Sequence, residues 1–259
     1  MPTTHQLLLL LPLIFIVAAL YSSVGHGGAS GYLAVVSLMG FATMSFVPII
    51  LTLNVLVAGI SFLNYRLPGA FNFRKLLPFI VTSMPAAYLG GMWKVSDTTF
   101  DIILAIALLL AAARLLMPQR IKGPESIRRK SAEASLWSIG IPIGLVLGFV
   151  SGMIGIGGGI FLSPILLFFG ITDIKGSAAM ASAFIVLNSL AGLAGHIASI
   201  ATIYRAAPSI PLAFLAVALG GALTGSRWGA SRKRPRELQW ALASVLIFAS
   251  VKMMIGAIG

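Results

Sequence analysis

Cysteine is absent from the 259 residues, which excludes disulfides, thiolate metal sites and cysteine nucleophiles and leaves the redox compartment unmarked. Charge is almost as scarce: Asp, Glu, Lys and Arg make up 9% of the chain, and only 6 of them are acidic. No stretch ends in Gly-Lys-Ser or Gly-Lys-Thr, so the chain carries no phosphate-binding loop and is not its own ATPase. The residues before the apolar run Gln6 to Leu20 hold neither Lys nor Arg, and that run therefore reads as a first membrane helix rather than as a signal peptide.

What is present is apolar and basic. Hydrophobic residues make up 58% of the chain and the mean hydropathy is +1.01, values that exclude a soluble domain and define an integral membrane protein. The net charge of +12 invites a nucleic-acid reading, but the basic residues sit in short loops between apolar runs, where the orientation rule for membrane proteins accounts for them.

A bilayer core of about 30 Å needs about 20 apolar residues per helix. Breaks at charged or Gly/Pro-rich points divide the chain into ten segments, near 6–23, 28–40, 44–65, 75–93, 99–117, 135–151, 157–170, 176–200, 207–227 and 237–258. The second and seventh are too short, covering only about 20 Å as helices at ~1.5 Å per residue. A shift of 130 positions superposes Gly25, Gly27, Gly28, Gly40, Gly90 and Gly91 on Gly155, Gly157, Gly158, Gly170, Gly220 and Gly221. About 1.4 coincidences are expected by chance at one shift, so a duplication is indicated. Residues 1–117 form a first repeat, 118–134 a basic cytoplasmic linker and 135–259 a second repeat. Asn54 and Asn188 correspond only with a four-residue gap.

Charge also orients the copies. If all ten segments cross, 15 of the 18 basic residues fall on one side, leaving only Lys94, Arg205 and Lys252 on the other. If the two short segments turn back instead, the division is 11 to 7. The first arrangement obeys the positive-inside rule better, and five crossings per copy make the repeats inverted. The expected fold is thus all-α and polytopic, with about 8–10 membrane helices in two inverted repeats, each holding a short or broken helix after a Gly-rich loop.

Those loops are Val24 to Gly31 and Ile154 to Gly159. Non-helical backbone survives at membrane depth only where it faces protein or a water-filled cavity. A glycine break ahead of a half-length helix leaves N–H groups and the positive end of the helix dipole pointing into that cavity, which suits an anion. The blander reading is that the glycines only let helices approach closely. His26 is the only ionisable side chain in either loop, with Ile156 at the matching position. It reads as an anion contact, a proton carrier, or a neutral packed His bonded to backbone. Asn54 and Asn188 lie near the centres of long segments, either bonding helix to helix or lining the cavity.

The two loops, above all Ser151-Gly-Met-Ile-Gly-Ile-Gly-Gly-Gly-Ile-Phe-Leu-Ser-Pro-Ile-Leu-Leu167, resemble those of the TauE/SafE sulfite exporter family, and the resemblance covers nearly the whole chain. It implies a secondary transporter exporting small sulfur-containing anions, sulfite or organosulfonates, across the cytoplasmic membrane without ATP hydrolysis, cofactor or enzymatic chemistry. The implied anion contacts are Gly25, Gly27 and Gly28 with Gly155, Gly157, Gly158 and Gly159; His26, Asn54 and Asn188 join them as candidates. The expected partners are that anion and the lipid bilayer, with no nucleic acid; association of copies of the chain stays open.

Two other classes compete. A metal-cation transporter lacks a carboxylate well inside any segment, and His26 stands alone. An intramembrane serine protease would use Ser30, within Gly28 to Gly31, with His196 as base, but Gly158 to Phe161 in the second copy has no serine.

Overall fold

The computed structural model describes residues 4–66, 71–116, 133–197, 209–231 and 236–258. These form ten helices: α1 Thr4–Ser22, α2 Ala29–Leu38, α3 Thr43–Tyr65, α4 Phe73–Met92, α5 Asp97–Leu116, α6 Glu133–Ile154, α7 Gly159–Phe168, α8 Ile174–Gly195, α9 Ser209–Ser231 and α10 Arg236–Ile258. No strand occurs among the described residues. Five stretches, Thr43–Tyr65, Asp97–Leu116, Leu136–Ile154, Ile174–Gly195 and Ser209–Gly229, are long and apolar enough to cross a membrane. The chain is a multi-pass membrane protein, and its outer surface carries Leu9, Leu63, Leu110, Val146, Leu212 and Phe248 well exposed, as lipid-facing helices do. Of the linker expected at 118–134, all but the last two residues lie outside the described residues.

The short segments are short helices, of 10 residues each. Both end in the same way. Gly40 at φ +79° and Gly170 at φ +65° turn the chain left-handed just after α2 and α7, the conformation that glycine adopts without a Cβ penalty. Phe41 N–H then donates to Val36 O at 3.2 Å and Ile171 N–H to Leu166 O at 2.9 Å, satisfying carbonyls that the helix leaves over. Elsewhere side chains start helices: Asn72 Oδ1 accepts from Lys75 N–H at 3.2 Å and Asp173 Oδ1 from Gly176 N–H at 2.8 Å.

The closest helix pairs join the two halves. Gly140, Gly144, Gly148 and Gly152 form one face of α6; a Cβ on them would run into Pro78, Phe79 O, Ser83 and Ala87 of α4. Gly221, Gly225 and Gly229 of α9 similarly lie on Phe15, Ala19 and Ser23 at and just beyond α1. In both pairs the numbers rise together, so the helices run parallel, backbone on backbone, as small residues permit in membranes. The two pairs exchange under the 130-residue shift. α5 packs on α10 and α3 on α8, and one core cluster draws buried residues from both halves.

Further contacts fix the relative directions of the rest. Tyr65 O–H donates to Ser23 O at 2.6 Å and Asn64 Nδ2 to Ser226 Oγ at 2.8 Å, which gathers the C-terminal ends of α1, α3 and α9. At that same end Tyr65 clusters with Ala178 and Ala179 near the start of α8. At the other end of this pair, Leu51 of α3 faces Gly192 of α8, so α3 and α8 are antiparallel. Lys75, near the start of α4, reaches Ile171 just before α8, and Gly91 meets Gly192, making α4 and α8 parallel. Hence α1, α3 and α9 run against α4, α6 and α8.

Candidate functional site

Between α1 and α2 the chain leaves its helix at Ser23 and descends to the middle of α3. Gly25 and Gly28 take φ +78° and +93°, and Gly28 is the residue on which α2 begins. In the second half Gly155, Gly157 and Gly158 take φ +77°, +75° and +72°, and α7 begins after Gly158. A left-handed conformation costs other residues ~1–2 kcal/mol, so these positions select glycine for backbone shape, whereas the α6 and α9 glycines are selected for closeness.

The loops converge. A Cβ at Gly27 would meet Asn54 Oδ1 and, at 3.1 Å, Ile185; one at Gly157 would meet Ser189 Oγ at 2.9 Å, Asn54 Nδ2 at 3.0 Å and Ile185 at 3.0 Å. Asn54 lies midway along α3 and Ile185 midway along α8, so both loops end at half depth against the same two side chains. Among the described residues, no backbone hydrogen bond is donated by Gly27 to Gly31 or by Ile156 to Ile160. Two sets of free N–H groups and two positive helix ends thus face one region.

The far ends of α2 and α7 are treated oppositely. Lys252 of α10 donates to Ser37 O at 2.9 Å and Leu38 O at 2.8 Å, and Lys75 of α4 donates to Ile171 O at 2.6 Å. α2 ends beside the start of α3 and α7 beside the start of α8; because α3 and α8 are antiparallel, the two ammonium groups sit at opposite ends of the bundle. Lys252 caps the negative pole of α2, and Lys75 holds the turn that follows α7.

Around the loops every buried polar residue is uncharged apart from the ionisable His26; no Asp, Glu, Lys or Arg is buried among the described residues. Three side-chain atoms facing the loops have no hydrogen-bond partner among those residues: Asn54 Oδ1 at Gly27, Tyr32 Oη at Gly28 and Ser189 Oγ at Gly157. An unsatisfied buried polar group costs ~1–3 kcal/mol, and such groups call for an explanation such as a bound ion. Tyr32 and Ser189 were not expected from the sequence: one is a helix residue a turn past a glycine loop, the other one of many small polar residues, and only the folded chain turns them toward the loops.

The other candidates are distributed differently. His26 donates from Nδ1 to Val24 O at 2.9 Å, within its own loop. Asn54 Nδ2 donates to Ile156 O at 3.2 Å, tying the first half to the second loop. Asn188 Nδ2 donates to Phe184 O of its own helix at 2.9 Å, leaving Oδ1 unpartnered, and the nearest neighbours of the loop glycines do not include it. The residue that faces both loops from α8, as Asn54 does from α3, is Ile185. Gly25 abuts Ala178, Gly155 abuts Val47, and Gly159 abuts Ile185 and Ala181. Ser30 shares a 2.8 Å hydrogen bond with Tyr21 Oη, while His196 Nε2 lies 3.1 Å from Gly152 O, so each is engaged with a different partner. No three His, Asp or Glu side chains come together among the described residues.

An all-helical multi-pass protein with two broken helices meeting at an uncharged, donor-rich centre has the form of a membrane transporter. Comparison with known proteins makes the class specific. The family described as sulfite exporter TauE/SafE matches residues 10–253, and the chain belongs to that family, whose members are transporters rather than enzymes. It is 34% identical over 224 residues to the probable membrane transporter protein y4hK of Sinorhizobium fredii, covering 83% of this chain and 86% of that protein. No solved structure matches.

Proposed function

We propose that this protein exports a small sulfur-containing anion, sulfite or an organosulfonate, across the cytoplasmic membrane, holding it between the two glycine loops. The observation that carries the reading is the convergence of Gly27 and Gly157 on Asn54 and Ile185, with free N–H groups on both sides. Backbone N–H groups at helix starts bind oxyanions without a buried cation, and the positive poles of α2 and α7 add to them. The residues we assign to the contact are Gly25, His26, Gly27, Gly28, Asn54, Gly155, Gly157, Gly158 and Gly159. Asn188, bonded through Nδ2 to Phe184 O of its own helix, is left out of that set.

The opposed directions of α1 and α6, of α3 and α8, and of α4 and α9 support an inverted repeat. In such a fold one half rocks against the other around a fixed midplane site. Asn54, which bonds the opposite loop, and the α4/α6 and α1/α9 glycine seams are the contacts across which that motion passes. Export needs no nucleotide: an anion leaves a negative interior with about 2.3 kcal/mol per charge per 100 mV in its favour.

Reconstitution of the purified chain into liposomes tests this. Efflux of sulfite or a small sulfonate, accelerated by an inside-negative potential, is the expected result. Absence of movement of every such anion, under potential and proton gradients of either sign, overturns the assignment.

A further inference from the structure

The centre of the site holds one group that backbone N–H donors do not explain. Asn54 is 0% exposed. Its nitrogen is engaged with Ile156 O, which fixes the amide with Oδ1 toward Gly27, where that oxygen has no partner. An amide oxygen accepts hydrogen bonds and never donates. An oxyanion with only bare oxygens therefore sets lone pairs against lone pairs at this point, while an anion bringing its own O–H or N–H satisfies Asn54 and the backbone donors together. Tyr32 Oη and Ser189 Oγ, hydroxyls that rotate to donate or accept, impose no such demand.

Charge points the same way. No acidic or permanently cationic side chain is buried at the loops. The positive field comes from two half-helix starts of about half an elementary charge each, which together balance about one negative charge. The cations that could raise it, Lys75 and Lys252, are drawn to the far ends of the half-helices.

We infer that the site is built for a singly charged oxyanion carrying its own hydrogen-bond donor, and that Asn54 is the residue that selects for the donor. The inference rests on the anion-transport reading above and adds the charge and hydrogen-bonding character of the cargo. Hydroxy-sulfonates and singly protonated oxyanions fall within this class; dianions and donor-free sulfonates bind less well.

Calorimetry on the detergent-purified full chain at one pH, which holds the protonation of His26 constant, tests it with three probes. These are 2-hydroxyethanesulfonate, ethanesulfonate and sulfate. The hydroxy compound should bind about tenfold more tightly than ethanesulfonate, as one added neutral hydrogen bond provides, and sulfate should bind more weakly than both. Asn54→Leu should bring the ratio of the two sulfonates close to one. Equal binding of the sulfonates by the unmodified protein, or tightest binding of sulfate, overturns the inference and leaves the transporter reading standing. An undiminished ratio in Asn54→Leu removes Asn54 from the role. If none of the three binds, the anion site itself falls. Should Asn54→Leu not fold, the three probes on the unmodified chain still decide the cargo class.

Discussion

The two glycine loops have the same shape and different chemistry. Gly25 and Gly28 repeat the left-handed turns of Gly155 and Gly158, and each loop opens a ten-residue helix. Yet the first holds His26 where the second holds Ile156, and the amide of Asn54 on α3 is answered on α8 by the apolar Ile185. The backbone geometry recurs while the side chains differ. Anion binding by backbone N–H groups tolerates this, because the donors belong to the chain's course and not to any side chain. In the proposed site, the side chains are left to set charge and selectivity.

The comparison breaks most severely at Gly157. Gly157→Val combines a left-handed φ with a Cβ pressed on Asn54 and Ser189, so anion efflux should fall at least a hundredfold, and the detergent-purified variant should lose ~2–4 kcal/mol by denaturant unfolding. Gly27→Val meets Asn54 Oδ1 without the φ penalty and should lose efflux while keeping more stability. Equal stabilities for the two variants would show that the loops are conformationally alike after all.

Exchanging the central pair sharpens the asymmetry. Asn54→Leu leaves Ile156 O without its donor and should cost ~1–3 kcal/mol of stability, whereas Ile185→Asn places a new amide opposite both loops. If the double exchange recovers stability lost in Asn54→Leu, the two positions are interchangeable; independent losses would mean that α3 alone is fitted to carry the amide.

The ends of the half-helices should respond less. Lys252→Met removes a charged cap from the C-terminus of α2 and Lys75→Met a charged donor from the turn after α7, each worth ~0.3–1 kcal/mol, and both should lower the thermal midpoint by a few degrees with efflux reduced about two- to fivefold. The two variants should match, since they act just past the ends of the two half-helices; a much larger effect of one would identify the end of the bundle that limits transport.

His26→Gln should have the smallest effect, within about threefold on efflux at neutral pH, because Ile156 occupies the equivalent place without an ionisable group. A loss of a hundredfold, together with a flattened pH profile, would instead make His26 a proton carrier and the two loops functionally unlike.

Much of this was legible in the residues. Ten segments, the shortness of two of them and their placement after glycine clusters followed from apolar run lengths and glycine spacing, since membrane helices must satisfy their own backbone and breaks stand out. The 130-residue shift also matched Gly40 with Gly170, and the two share a left-handed conformation. The pairing of Asn54 with Asn188 has no counterpart at the loops: Asn188 Nδ2 bonds Phe184 O of its own helix, and Ile185 and Ser189 are the α8 side chains that meet Gly157, because matching residue types across a gap does not fix which side chain reaches a neighbour. Nor was it legible which glycines pack and which turn, because a missing side chain serves both ends and only φ and the neighbouring helix distinguish them.

By itself, the sequence determined the membrane environment, the ten apolar segments and the position of the two breaks, all properties of a chain's local apolar balance and backbone freedom. Tertiary structure decided which helices pair across the halves, that Lys252 caps α2 while Lys75 holds the turn after α7, and that Asn54 Oδ1, Tyr32 Oη and Ser189 Oγ face the loops unpartnered among the described residues. Those depend on side chains distant in sequence arriving at one depth, a consequence of packing direction that no single segment encodes.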